Sequence, residues 1–290
     1  MGFFNACMTT PDPAANAPEH LSQQDIHIWL SQPASIVDPA LLKAYLALLD
    51  HEEYDRWARI KIPRVQHEYL IAHALLRLTL SRYAPLPPTA WRFSRNAYGR
   101  PEVANPEQLS LRFNISHTKG LVACAVTREQ AIGVDVETLE RSNRLLDIAD
   151  RYFSPQECAD LQHLPDPQQH AGFFDYWTLK ESFIKAKGMG LALALDSFGF
   201  QLRAGPGRKT IGLTVTDALQ DTPAHWVFWL YQLGPNHKLA LCCENPAQTS
   251  LPSSIKSSVR PRIRQFMPTA HTPPMTIELL GTSHHAETLA

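Results

Sequence analysis

The sequence predicts an α+β fold. Short apolar runs of strand length fall into two separate groups, and longer stretches of helical periodicity lie before and between them. Clusters of Pro, Gly, Asn and Asp punctuate the boundaries. With 44% hydrophobic and 19% charged residues, a chain of 290 residues can bury one large core or two modest ones, which excludes a disordered polymer.

In chain order, IHIWLS (26–31) reads as a strand, Pro39 to Leu49 as a helix, and His67 to Arg82 as a longer helix. Leu70, Ala74, Leu75 and Leu78 share one face of the second helix, and Pro85, Pro87 and Pro88 end it. WRFS (91–94), LRFNIS (111–116), LVACAV (121–126) and AIGVDVE (131–137) are runs of strand type. Ser154, Pro155 and Glu157 supply an N-cap, a first-turn proline and a capping-box acid for a helix toward Leu164, which gives Glu157 a structural role. Residues 171–187 form a further helix. SFGFQLR (197–203), IGLTVT (211–216), WVFWLYQL (226–233) and KLALCCE (238–244) complete the strands. IHIWL echoes WVFWL and LVACAV echoes LALCC, as two halves of similar build would.

Twenty-seven Lys and Arg against 28 Asp and Glu leave a net charge of −1, so no global field draws the chain to nucleic acid or an anionic membrane. No apolar run approaches the roughly 20 residues of a membrane span, and MGFFNACMTT is too short and uncharged for a secretory signal. A cytoplasmic monomer is expected. Five cysteines without C-x-x-C indicate neither a disulfide framework nor a zinc site, and Cys124, Cys242 and Cys243 lie in apolar runs as buried thiols.

The chemistry concentrates in three segments. In GVDVE (133–137), strand alternation puts Asp135 and Glu137 on one side, where two like charges need a cation; hard oxygen ligands so spaced suit Mg²⁺. A strand end emerging into solvent accounts for the same two acids. In the helical segment 173–187, the apolar stripe through Phe173, Trp177 and Ile184 also carries Glu181, a carboxylate that needs a partner if it is desolvated. Lys185 at i+4 offers an ion pair worth only about 0.3–0.5 kcal/mol. A metal on Glu181 and Asp135, with a phosphate on Lys185, offsets burial better. The third segment, FNISHT (113–118), ends a strand in small polar residues and His117, which a plain turn also explains. Upstream, Arg100 in YGRP (98–101) is either a solvated charge or an anion contact.

Together and in this order, GRP (99–101), FNISH (113–117), GVDVE (133–137) and WTLKESFIK (177–185) resemble the 4′-phosphopantetheinyl transferases of the surfactin-synthetase-activating type. RYFSPQE (151–157) and LDSF (195–198) are similar to further segments of that family, and the resemblance runs from about residue 26 to 245. It implies two pseudo-symmetric α+β halves with coenzyme A in the cleft between them. It implies an enzyme of the holo-[acyl-carrier-protein] synthase type, which moves phosphopantetheine onto a serine of an apo acyl or peptidyl carrier protein and releases adenosine 3′,5′-bisphosphate. On the matching positions Asp135, Glu137 and Glu181 hold Mg²⁺, while Lys185, His117, Ser116 and Arg100 meet the coenzyme A phosphates. Glu181 is the first choice of general base, with a water held by Glu137 as the competitor. Where the family offers several basic residues, this chain has Arg56, Arg59, Lys61 and Arg64 followed by Gln66-His67-Glu68, and Arg64 is taken as the 3′-phosphate contact.

The expected layout is a flexible segment 1–24, an N-terminal half 25–132, a C-terminal half 133–246 carrying the acids, and a disordered tail 247–290. Arg260, Arg262 and Arg264 fall in that tail. Carrier proteins are typically acidic, so a basic or apolar patch beside the cleft is expected. A Mg²⁺-dependent nuclease shares the carboxylates and lysine, but no run of basic residues here suggests a duplex-binding face. A chain that only binds carrier proteins leaves the acids without purpose.

Overall fold

The computed structural model describes residues 18–106, 110–141, 145–245, 260–266 and 275–283. Strand β1 (Asp25–Ser31) leads through helices α1 (Pro39–Leu46), α2 (His51–Arg59) and α3 (Pro63–Leu80) to a small hairpin of β2 (Phe93–Arg95) and β3 (Pro101–Val103). Then come β4 (Leu111–Thr118), β5 (Leu121–Arg128) and β6 (Ile132–Thr138), and helices α4 (Leu145–Tyr152), α5 (Pro155–His163) and α6 (Asp166–Lys187). Strands β7 (Phe198–Ala204), β8 (Lys209–Val215), β9 (Trp226–Leu233), β10 (His237–Glu244), β11 (Arg260–Gln265) and β12 (Ile277–Ser283) follow.

Local chemistry sets the helix ends. Asp50 and Glu53 form a capping box that starts α2, a helix absent from the apolar pattern because its residues are mostly charged. Prolines in the first turns of α3 and α6 start both helices earlier than their apolar stripes, at residues 63 and 166 rather than 67 and 171. Ser154 and Glu157 close the expected box on α5, and fully buried Glu157 also accepts from Lys180 at 2.9 Å and the Phe200 amide at 2.8 Å.

Two sheets carry the fold, in the orders β11-β1-β5-β4 and β6-β10-β9-β12-β8-β7. Each half runs strand, helix, strand, strand, with the last strand central. Thus β1, α3, β4 and β5 correspond to β6, α6, β9 and β10, with every pairing among those strands antiparallel. This supports one of the two sequence echoes: LVACAV and LALCC are the matching central strands. IHIWL and WVFWL are not equivalent, because chain order matches β1 with β6; they resemble each other only as apolar flanking strands. The sheets share a core in which Ile28, Leu121 and Ala123 of the first half meet Val134, Val136 and Leu241 of the second. At one end the edge strands β4 and β6 meet, and the Val134 and Val136 N–H groups donate to Asn114 Oδ1 (2.9 Å) and Ser116 Oγ (3.2 Å) instead of to another strand.

The tail expectation is corrected. β11 pairs in parallel with β1 across Asp25–Leu30, and β12 lies inside the second sheet, between β9 and β8. Ile263, Met275 and Leu279 pack on the core between the halves, so too few large apolar residues was the wrong criterion for a segment whose backbone is bonded on its neighbours. Residues 246–259, 267–274 and 284–290 lie outside the described residues. So do residues 1–17 of the expected flexible start; within 18–24, Leu21 is buried, and Glu19 pairs with Arg82 and Arg264. Cys124, Cys242 and Cys243 are buried, as expected, and burial pushes the Cys124 thiol up to about 12.

Two outcomes check this architecture. Truncation after Asn245 strips β1, β8 and β9 of a neighbour each and lowers Tm by at least about 5 °C in a thermal melt, whereas loss of an unstructured tail leaves Tm unchanged. Gly133→Ala places a Cβ 2.0 Å from the Ser182 carbonyl oxygen. It destabilises by about 3 kcal/mol or more in urea titration.

Candidate active site

Alternation along β6 sorts its side chains. Ile132, Val134 and Val136 enter the core between the sheets, and Gly133, Asp135 and Glu137 face α6. The missing side chain of Gly133 lets the α6 backbone lie directly on β6 at Ser182 and Ala186. That approach brings Glu181 and Lys185 opposite Asp135. From the other half, β4 contributes Ser116.

Asp135 sits at the centre, 4% exposed. Its Oδ1 accepts from Lys185 Nζ at 2.6 Å and from Ser116 Oγ at 3.0 Å, and Lys185 also reaches Ser116 Oγ at 2.9 Å. Asp135 Oδ2 is buried without a partner among the described residues. Glu137 accepts from the indole N–H of Trp177 at 3.1 Å and from Arg141 at 3.2 and 3.3 Å. Lys185 therefore pairs with the strand carboxylate rather than with Glu181.

Burial, then the Asp135 charge, pushes Glu181 up to about 7; Lys185 opposes this and Glu137 adds to it. Burial and Asp135 likewise raise Glu137. Glu137 and Glu181 thus both feel the charge of Asp135, as carboxylates crowded beside it must. Among the described residues no three His, Cys, Asp or Glu side chains form a ready-made metal cage. A bare buried carboxylate oxygen beside two acids of raised pKa nevertheless suits a hard cation that keeps water or phosphate oxygens in its shell, as Mg²⁺ does.

Beside this network a cleft of about 450 Å³ opens between α2, α3, β2 and β4, lined by Arg56, Tyr69, His73, Arg95, Ile115 and His117. Burial, then the Lys185 ammonium, pulls the His117 pKa down. The cleft has an acidic wall as well. Asp50 and Glu53 line it, and both are held by the buried guanidinium of Arg77 at 3.0 and 2.7 Å.

Residues 131–242 match the 4′-phosphopantetheinyl transferase superfamily, and residues 38–129 match the 4′-phosphopantetheinyl transferase N-terminal family. The chain is 33% identical to the 4′-phosphopantetheinyl transferase Sfp of Bacillus subtilis over 219 residues, 76% of this chain and 91% of Sfp. This chain belongs to the 4′-phosphopantetheinyl transferase family. It is also 34% identical to the 4′-phosphopantetheinyl transferase HetI of Nostoc over 176 residues, 59% of this chain and 72% of HetI. A second 4′-phosphopantetheinyl transferase of Bacillus subtilis is 33% identical over 201 residues, 69% of this chain and 84% of that protein.

The transferase brings Asp135, Glu137, Glu181, Lys185 and Ser116 together in one network and sets His117 on the adjoining cleft. Arg64 and Arg100 stand apart from this. Arg64 donates to both oxygens of Glu68, at 2.8 and 2.7 Å, and Arg100 donates to the Ala186 carbonyl and to Glu102. Neither lines the cleft beside the network, where the arginines are Arg56 and Arg95. Trp177, Arg141 and Gly133 were not singled out for the site from sequence. Gly133 had a signal, since it shares the face of Asp135 and Glu137 two residues upstream; Trp177 passed for core because an indole fits an apolar stripe. No helix among the described residues is long and apolar enough to cross a membrane.

The raised pKa of Glu181 has a readable sign. Between its ordinary value of 4.5 and about 7 the folded protein holds a proton that the unfolded chain releases, so this group's contribution to stability falls as pH rises through that window. In EDTA at pH 8, Glu181→Gln is expected to be more stable than wild type by on the order of 1–2 kcal/mol. The gain shrinks as pH falls and is gone below about pH 4.5, a pattern that chemical denaturation at several pH values checks.

Proposed function

We propose that this chain transfers the 4′-phosphopantetheine arm of coenzyme A to a serine hydroxyl of an apo acyl or peptidyl carrier protein, in a Mg²⁺-dependent reaction that releases adenosine 3′,5′-bisphosphate. The carrying observation is Asp135, bonded to Lys185 through one oxygen and bare at the other, with Glu137 and Glu181 crowded beside it. Family membership supports the same reading.

Asp135, Glu137 and Glu181 hold the metal in this reading. Bound there, Mg²⁺ neutralises charge on the pyrophosphate and acts as a Lewis acid. Lys185 and His117 contact the coenzyme A phosphates, and Ser116 keeps Lys185 and Asp135 in register. Arg56 and Arg95 are better placed than Arg64 for the 3′-phosphate, since they line the cleft. The carrier serine Oγ attacks the phosphorus that bears the pantetheine arm, and the bond from that phosphorus to the bridging oxygen breaks. Adenosine 3′,5′-bisphosphate leaves with the electron pair. Glu181 takes the serine proton. Phosphoryl transfer gains mostly from positioning and electrostatics, which is what these residues offer.

Intact-mass measurement after mixing the chain with coenzyme A, Mg²⁺ and several apo carrier proteins is expected to show the phosphopantetheine increment on at least one carrier, and EDTA is expected to abolish it. Asp135→Ala removes transfer while the fold survives, and Glu181→Gln lowers kcat by about 10²–10⁴-fold. Arg56→Ala raises KM for coenzyme A more than for its dephospho form. Plasmid cleavage with Mg²⁺ and no carrier modification would point instead to a nuclease.

A further inference from the structure

The family resemblance implies a phosphate contact for Arg100, yet its guanidinium is committed to the end of α6. The turn between β2 and β3 is tied to itself, with Asn96 Oδ1 accepting the N–H groups of Tyr98 and Arg100, both at 2.9 Å. It presents two donors to the opposite half. Arg100 Nη1 donates to the Ala186 carbonyl at 2.8 Å and, at 3.4 Å, to that of Lys185; Asn96 Nδ2 donates to the Gly188 carbonyl at 2.8 Å. Glu102 accepts from Arg100 Nη2 at 2.7 Å and holds the guanidinium plane.

The last carbonyls of a helix have no partner within it. In α6 the Gly188 N–H serves Ile184 and Lys185, while Arg100 supplies Ala186 from the other half. The cation also suits the negative end of the helix dipole. Gly188 ends the helix at φ +66°, and a Cβ there would lie 2.6 Å from the Arg100 guanidinium carbon. Only glycine accommodates both the left-handed turn and the guanidinium against it.

We propose that Asn96 and Arg100 are positioning residues, which clamp the last turn of α6 onto the N-terminal half and thereby set Lys185 against Ser116 and Asp135 for transfer. This rests on the transfer reaction proposed above. The clamp acts through backbone, so charge alone cannot replace it: lysine lacks the fork that meets the α6 carbonyls and Glu102 together.

Four full-length variants test it: Arg100→Gln, Arg100→Lys, Gly188→Ala and the double variant Arg100→Gln/Gly188→Ala. Transfer kinetics and hydrogen exchange of amides 185–188 are followed in each. Each single variant is expected to lower kcat about tenfold with KM for coenzyme A within twofold of wild type, and to speed exchange in that turn. The double variant is expected to be no more than twofold worse than the poorer single one. Arg100→Gln raising KM tenfold at unchanged kcat, with Arg100→Lys restoring it, overturns the clamp in favour of a phosphate contact. Unchanged kcat in Gly188→Ala overturns it too, and so does unchanged exchange at 185–188 in both Arg100→Gln and Gly188→Ala, whatever the activity. Absence of transfer by wild type defeats the proposed reaction instead, and exchange then still decides whether the clamp exists.

Discussion

A helix can lie against a strand at backbone distance only where the strand has no side chain, and Gly133 is that place. Everything in the site follows from the approach. With α6 on β6 at Ser182 and Ala186, the two neighbouring side chains on that helix face, Glu181 and Lys185, have nowhere to go but the face that Asp135 and Glu137 share. Burying three acids together is unfavourable in a medium of low polarity. The Lys185 ammonium at 2.6 Å from Asp135 offsets one charge, Arg141 and the Trp177 N–H temper the second, and burial with the Asp135 charge holds the third, Glu181, above the ordinary carboxylate range.

The site belongs to neither half. Asp135, Glu137, Glu181 and Lys185 come from the second, Ser116 and His117 from the first, and the meeting edges of β4 and β6 hold them in register through Asn114 and Ser116. Side-chain acceptors standing in for a partner strand give that seam a defined alignment. A strand ladder could slip; two specific side chains bonded to two specific amides cannot do so without leaving buried donors unpaired.

Much of this was legible in the sequence, because the chemistry sits on regular elements. Period-two alternation put Asp135 and Glu137 on one side, and the helical stripe turned Glu181 inward. The strands that carry the core were readable from their apolar runs. What escaped depended on partners that the apolar pattern does not record. Arg100 looks like any turn arginine until α6 arrives at its fork, and Arg64 looks free until Glu68 is seen one helical turn on, bonded to it. β11 reads as RPRIRQ, which alternates but offers only Pro261 and Ile263 on its apolar side, and β12 as IELLGTS, which breaks alternation at Leu280; their place comes from the open edges of β1 and β9, which no local pattern records.

The position of β12 bears on the order of events during synthesis. Strand β9 lies between β10 and β12, and β1 lies between β5 and β11, so each sheet receives one of its strands from the last part of the chain. A ribosome must therefore release residue 283 before the sheet holding Asp135 can close around its full complement of strands. Until then the nascent protein shows three unfinished strand edges, those of β1, β8 and β9, to its surroundings, a state in which a chaperone or a neighbouring chain can pair where the tail will later sit.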